Sequence, residues 1–269
     1  MIACLLAAAS PARAGERRPD PFPGVAASYL LKVDGTAVWE HSPDRRLPPA
    51  SLTKMMTALL VLERGRLGEV ATVSRAAAAE TGARIGLKPG DRLRVAELLA
   101  ATLLRSANDA AHALAEHVDG TEGRFVKRMN ARAAALGMRN TRFANASGRH
   151  HPGHYSTAND LALLAEAALA DDRFARLVAQ VRLDIENADG SRTFPLENGN
   201  EMVGRYRGAV GVKTGYTREA GPCLVVLAER GPNRVLLVLL NAPNRWWDAV
   251  GMLDNAFSLA AAGGATPRP

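Results

Sequence analysis

The chain has 269 residues, enough for one large domain with a full core or two small ones. Apolar residues make up 47% and charged residues 23%, which excludes a chain dominated by disorder; aromatics are only 5%, so the core rests on Leu, Val and Ala. The formal charge is +7 and the pI about 9.9, but Lys and Arg are scattered with no basic run, so the charge reads as a solvated surface and no nucleic-acid partner is expected.

The first nine residues are apolar and are followed by Ala12-Arg13-Ala14, a small-x-small cleavage pattern. The expectation is a signal peptide over 1–14 and export across the inner membrane, although the usual basic segment before the apolar run is missing. Residues 15–25 are charged and Pro-rich and suit a linker. Cys4 falls in the leader, which leaves Cys223 alone, with no internal disulfide, and its apolar neighbours mark it as a small buried hydrophobe. No run of 18 apolar residues exists, so no transmembrane segment is expected.

Residues 26–34 alternate and lead to Asp34-Gly35, a hairpin signal, with 36–40 as the returning strand. A Pro-containing loop over 43–50 precedes residues 51–63, which lack Gly and Pro and read as a helix ended by Gly65. From there to about 180 the text is mostly helical, most clearly over 96–104, 110–118, 122–136 and 161–170. Strands return at 182–185 and 192–194, around Asp189-Gly190, and at 210–214. Two more, 223–228 and 235–241, pair around Gly231-Pro232-Asn233, and a helix over 246–261 closes the chain. Strands at both ends and helices between them predict an α+β domain over 26–262, followed by a tail over 263–269. Its terminal strands would join in one antiparallel sheet beside a large helical insertion.

Three short motifs occur once each, in order: Ser51-Leu52-Thr53-Lys54, Ser106-Ala107-Asn108 and Lys213-Thr214-Gly215. A chain of this length carries roughly one S-x-x-K by chance, so the signal lies in order and placement. The first falls at a helix start, the second between helices, the third on a late strand; the trio marks serine acyl-transfer sites. Lys54 shares a helical face with Ser51 and can activate its hydroxyl if the amine is neutral. Burial and a nearby positive charge, which Lys213 could supply, favour that state. Ser106 could relay a proton between Lys54 and the leaving nitrogen, and Asn108 could meet a substrate amide. Lys213 and Thr214 could hold a carboxylate, while Gly215 would let a substrate backbone come close. The N–H groups of Ser51 and Tyr216 would form an oxyanion hole. Ordinary alternatives for these residues are helix capping and surface hairpin positions.

No cofactor or metal is called for. His150, His151 and His154 cluster in a Gly/Pro loop without partners at ligand spacing, and His112 and His117, five apart, do not share a helix face and read as structural.

With these motifs in view the chain resembles the low-molecular-mass penicillin-binding proteins, specifically the D-alanyl-D-alanine carboxypeptidases. Residues 49–57, 140–148, 154–158 and 211–217 resemble that family's segments, and the likeness runs from about 26 to 261. The resemblance implies the β-lactamase/transpeptidase-like fold and an acylated Ser51 with Lys54 as base. It further implies proton transfer assisted by Ser106 and a substrate carboxylate on Lys213. The implied reaction is release of terminal D-Ala from peptidoglycan stem pentapeptides, with β-lactam antibiotics as covalent inhibitors of the same serine. Tyr216 stands where the family often has His, which bears on substrate preference. The chain ends soon after the closing helix, so a periplasmic or wall-associated enzyme without the membrane anchor of many relatives is expected.

Competing functions are a D,D-endopeptidase cutting cross-links, a class A-like β-lactamase, and a non-catalytic penicillin-binding module. Against the β-lactamase, the middle motif reads S-A-N and no E-x-x-x-N stands between it and Lys213-Thr214-Gly215. Against the module, every reactive side chain is present.

Overall fold

Asp34 and Gly35 both take positive φ, 48° and 81°, the geometry of a two-residue hairpin turn. They join β1 (Ser28–Val33) to β2 (Thr36–His41), with Val33 opposite Thr36. The computed structural model describes residues 20–263. The expected leader, positions 15–19 of the linker and residues 264–269 of the tail lie outside the described residues. Residues 20–25 do not behave as a linker. Phe22 meets Trp39 edge-on at 5.3 Å, and Asp20 accepts hydrogen bonds from the Phe22 N–H and the Tyr29 hydroxyl. The apolar side chains inside this Pro-rich stretch find a core to pack on.

The helix expected from Ser51 begins differently. Ala50–Thr53 form a 3-10 turn, and α1 (Lys54–Arg64) follows, ended by Gly65 at φ 76°. Ala50 sits at φ 48°, and the Thr53 hydroxyl donates to its carbonyl at 2.8 Å. This short-range bond substitutes for the α-helical one and tightens the turn.

The stretch after Gly65 is also less helical than its Ala and Leu content suggests. β3 (Val70–Thr72), α2 (Arg75–Ala78) and β4 (Arg92–Arg94) come before the long helices, with β3 and β4 paired antiparallel. Strands of three residues are too short to display alternation. Then come α3 (Val95–Leu104), α4 (Asn108–Asp119) and α5 (Glu122–Ala135), followed by α6 (Ala158–Leu169) and α7 (Asp172–Val178). Thr121, Thr157 and Asp171 cap the last three, each accepting a first-turn N–H.

β5 (Arg182–Glu186) and β6 (Thr193–Glu197) form a separate hairpin. β7 (Ala209–Thr217), β8 (Gly221–Arg230) and β9 (Asn233–Leu240) complete the main sheet, and α8 (Arg245–Ala261) follows. The main sheet runs β2-β1-β9-β8-β7, so β1 and β9 tie the two ends of the described chain together and β7 is an edge. The fold is therefore the expected mixed one, with an antiparallel sheet from terminal strands and a helical insertion.

The apolar runs of β8 and β9 are continuous because both sheet faces are covered. Leu224, Val226, Leu237 and Leu239 pack with Met252, Leu253 and Phe257 of α8. Val225, Leu227, Leu236 and Val238 face the helical layer on the other side. Leu237, fully buried in the central strand, tests this layering. Leu237→Ala is expected to cost about 2–5 kcal/mol, read as a lowered urea midpoint with an unchanged slope.

Candidate active site

The 3-10 turn sets Ser51 and Lys54 three residues apart on one side, with Lys54 Nζ 3.0 Å from Ser51 Oγ. Lys54 is fully buried. Its nitrogen also lies 2.7 Å from Asn108 Oδ1 and 2.5 Å from the Ser147 carbonyl. The last two oxygens are pure acceptors, and the Asn108 orientation is supported by its Nδ2 donating to the Thr81 carbonyl at 2.5 Å. A neutral amine has two N–H bonds and one lone pair. The two acceptors take the N–H bonds, and the lone pair is left facing the Ser51 hydroxyl.

Electrostatics favour that neutral state. Burial is the largest influence and holds the Lys54 amine well below the ordinary lysine range; Lys213 adds to it, while Glu80 and Asp109 oppose it.

Lys213 is itself buried on the edge strand β7 and donates to Ser106 Oγ at 3.0 Å and to the Thr214 carbonyl at 3.0 Å. Burial first, and then the Arg245 charge, bring its amine down to about 7. Ser106 occupies the gap between α3 and α4, at φ 57°. It pairs with the second lysine, and Asn108 is the middle-motif side chain that touches Lys54. Arg245, absent from the sequence reading, opens α8 and donates to the Gly215 and Cys223 carbonyls at 2.8 and 3.3 Å. Nothing local marks it, because its partners come from two strands.

Close backbone approaches assemble these pieces. A Cβ on Gly215 would lie 3.1 Å from the Ser51 nitrogen and 3.2 Å from the Pro49 carbonyl. Gly215 thus lets β7 press against the Ser51 turn, a packing role besides the substrate approach expected from sequence. Gly148, at φ 82°, has no room at all: its Cβ would fall 1.9 Å from the Ala50 carbonyl oxygen. His154 supports the same carbonyl. Its Nδ1 accepts from the Ala144 N–H, which leaves its Nε2–H to donate to Thr53 Oγ1 at 2.9 Å, and Thr53 passes its own hydrogen to Ala50. Burial lowers the His154 pKa to about 4, so the ring stays neutral.

Ser51, Asn108 and the exposed Tyr216 line one cleft of about 400 Å³, with Thr81, Gly82, Ala83, Gly148, Arg149, His150 and Thr217. Larger hollows beside Lys32 and beside Leu177 do not contain Ser51, so chemistry and not volume identifies the site. Thr214, half-buried, continues β7 between Lys213 and Gly215. Asp109 accepts from the N–H groups of Ile85, Gly86 and Leu87, which holds the loop bordering the cleft.

The remaining groups sort simply. Cys223 is buried, its thiol pushed up to about 11 by desolvation. His117 bonds Glu69. His112 meets Glu80 and Glu122, the group of possible metal-ligating side chains found among the described residues. Arg149 also reaches Glu80, at 2.7 Å, so the cluster already holds balancing cations.

A helical layer set against a five-stranded antiparallel sheet, with Ser-Lys pairs on both sides of the junction, defines a serine peptidase of the penicillin-binding class. The sequence profile of the D-alanyl-D-alanine carboxypeptidases matches residues 23–244, and the chain belongs to that family. D-alanyl-D-alanine carboxypeptidase DacF of Bacillus subtilis is 35% identical over 253 residues, 91% of this chain; the chain spans 65% of that relative's length. The Streptomyces K15 DD-transpeptidase superposes with a TM-score of 0.83 at 31% identity, covering 87% of this chain and 98% of that one. Penicillin-binding protein D2 of Listeria monocytogenes, in its ampicillin-bound form, gives 0.76 at 32% identity, covering 87% and 98%.

Two outcomes follow from this geometry. Gly148→Ala should displace Ala50 and lower the rate of Ser51 acylation by about 100-fold or more, since misplacements near 1 Å cost that much; stopped-flow acylation measures it. Lys213 binds fewer protons when folded than when unfolded between pH 7 and 10.5. Stability should therefore rise with pH across that window and fall as pH drops through 7. Replacing the amine in Lys213→Met should remove this part of the pH dependence in a melting series.

Proposed function

We propose that this chain releases terminal D-Ala from peptidoglycan stem peptides ending in D-Ala-D-Ala. The observation that carries the proposal is the buried Lys54 amine, 3.0 Å from Ser51 Oγ with the Asn108 and Ser147 oxygens as its other two partners. Lys54 takes the Ser51 proton as Oγ attacks the carbonyl between the two D-Ala residues. The oxyanion is received by the Ser51 and Tyr216 N–H groups, each such donor typically worth about 3 kcal/mol. The C–N bond then breaks, the departing amine gains a proton through Lys54, with Ser106 assisting, and D-Ala leaves. Water attacks the acyl-Ser51 ester with Lys54 again as base, which frees the shortened peptide and restores the serine. Lys213 and Thr214 hold the terminal carboxylate, and Arg245 fixes the strand that bears them by its bond to Gly215.

β-Lactams acylate the same serine, and because their leaving nitrogen stays tethered the adduct persists. The reading includes export, with action in the periplasm or at the wall. Among the described residues no helix is long and apolar enough to cross a membrane.

Intact mass after incubation with a fluorescent penicillin should show one adduct, absent in Ser51→Ala, and that variant should lose D-Ala release by about 10³-fold or more. An unmodified wild-type chain would sink the acyl-serine mechanism. Cross-linked dimers in the same assay separate a carboxypeptidase from an endopeptidase. The pH profile has a defined shape. kcat/KM should climb with pH as Lys54 loses its proton, far below the usual amine range, and decline above about 7 as free-enzyme Lys213 becomes neutral.

A further inference from the structure

The cleft carries a fixed cation that the acyl-transfer chemistry does not use. Arg149 follows Gly148, whose backbone is pressed against Ala50. The Asn145 side chain clamps the Arg149 main chain from both sides, accepting from its N–H at 3.1 Å and donating to its carbonyl at 3.0 Å. Its Nε lies 2.7 Å from Glu80 Oε2. Glu80 is 4% exposed, and its other oxygen is held by His112 Nδ1 at 2.7 Å. Burial would discharge His112, but Glu80, Glu122 and Glu116 outweigh it and favour the imidazolium. Glu80 thus faces a cation on each oxygen: Oε1 is hydrogen-bonded to His112, and Oε2 is ion-paired with Arg149 without a hydrogen bond.

The Arg149 side chain is 46% exposed and lines the cleft beside Ser51. Nε is ion-paired with Glu80, and the two terminal nitrogens make no hydrogen bond among the described residues. His150 stands next to it, in a loose exposed pair with Glu219 at 3.8 Å.

Position along β7 says what this cation meets. Lys213 lies at the middle of the edge strand, and Tyr216 and Thr217, which line the cleft, lie at its C-terminal end, roughly 10–13 Å on. A peptide with its terminal carboxylate at Lys213 and its scissile carbonyl at Ser51 runs its preceding residues past Tyr216 toward Arg149.

We propose that Arg149 is a specificity-determining residue that receives a second carboxylate, carried on the side chain of the residue before the D-Ala-D-Ala dipeptide. The inference rests on the carboxypeptidase reading above. A planar guanidinium held by one edge offers its other edge to a carboxylate in two parallel hydrogen bonds.

The test uses three synthetic peptides ending in D-Ala-D-Ala. One carries a free carboxylate on the preceding side chain, one the matching amide, and one a neutral side chain with the carboxylate a residue earlier. In wild type, kcat/KM for D-Ala release should favour the first over the second by about tenfold. Arg149→Gln should bring that ratio close to one, and Arg149→Lys should restore part of it. A purely structural role would lower both rates together and leave the ratio intact, which overturns the proposal. So would equal use of the two peptides by wild type, or preference for the third peptide. If no peptide yields D-Ala, the carboxypeptidase reading fails by itself. The same comparison then runs on two penicillins whose side chains end in carboxylate or amide, read as the rate of Ser51 acylation. An Arg149-dependent preference near tenfold supports the subsite, and equal rates remove it.

Discussion

Two lysine amines are buried in one site, and the rest of the active-site architecture answers to that constraint. Taking one ammonium out of water costs several kcal/mol even after relaxation, and a second nearby cation raises the cost. The site resolves the conflict by dividing the states. Lys54 is surrounded so that its neutral form is fully hydrogen-bonded, with the lone pair toward Ser51. Lys213, held by Ser106 Oγ and the Thr214 carbonyl, stays within reach of its charged form near neutral pH. The two amines belong to the same residue type and are distinguished only by what surrounds them.

That arrangement needs three segments to meet without intervening side chains. Gly215 brings the edge strand against the Ser51 nitrogen, and Gly148 brings the segment carrying the Ser147 carbonyl under Ala50. Ala50 and Ser106 accept left-handed backbone, at about 1–3 kcal/mol each. The His154–Thr53–Ala50 hydrogen-bond chain offsets part of this at the first position. Underneath, the pairing of β1 with β9 and the two apolar layers on the sheet hold β7 at its edge, where a peptide can lie against it.

Behind the cleft a second electrostatic system is built from carboxylates. Asp109 gathers three N–H groups of the loop over 85–87, and Glu80 joins His112 to Arg149. Both acids also act on Lys54, raising its proton affinity against the effects of burial and Lys213. The wall of the cleft and the protonation state of Lys54 are therefore electrostatically connected.

Much of this was legible in the residues. Strand alternation, the Asp34-Gly35 turn, Gly65 as a helix end and the spacing of Ser51 to Lys54 are local signals, readable because backbone sterics and side-chain period act over a few positions. The same locality explains the misses. The 3-10 turn at Ala50–Thr53 depends on contacts from Gly148 and His154, and β3 and β4 are too short to alternate. The sequence by itself determined the types of the longer elements, the order of the three motifs and the Ser51–Lys54 pair. Only the tertiary structure decided that Ser106 bonds Lys213 across 107 positions, that Asn108 and Ser147 turn the Lys54 lone pair toward Ser51, and that Arg245 and Arg149 flank the site. Those pairings and protonation states arise from burial and from charges brought close by distant segments, which no local pattern encodes.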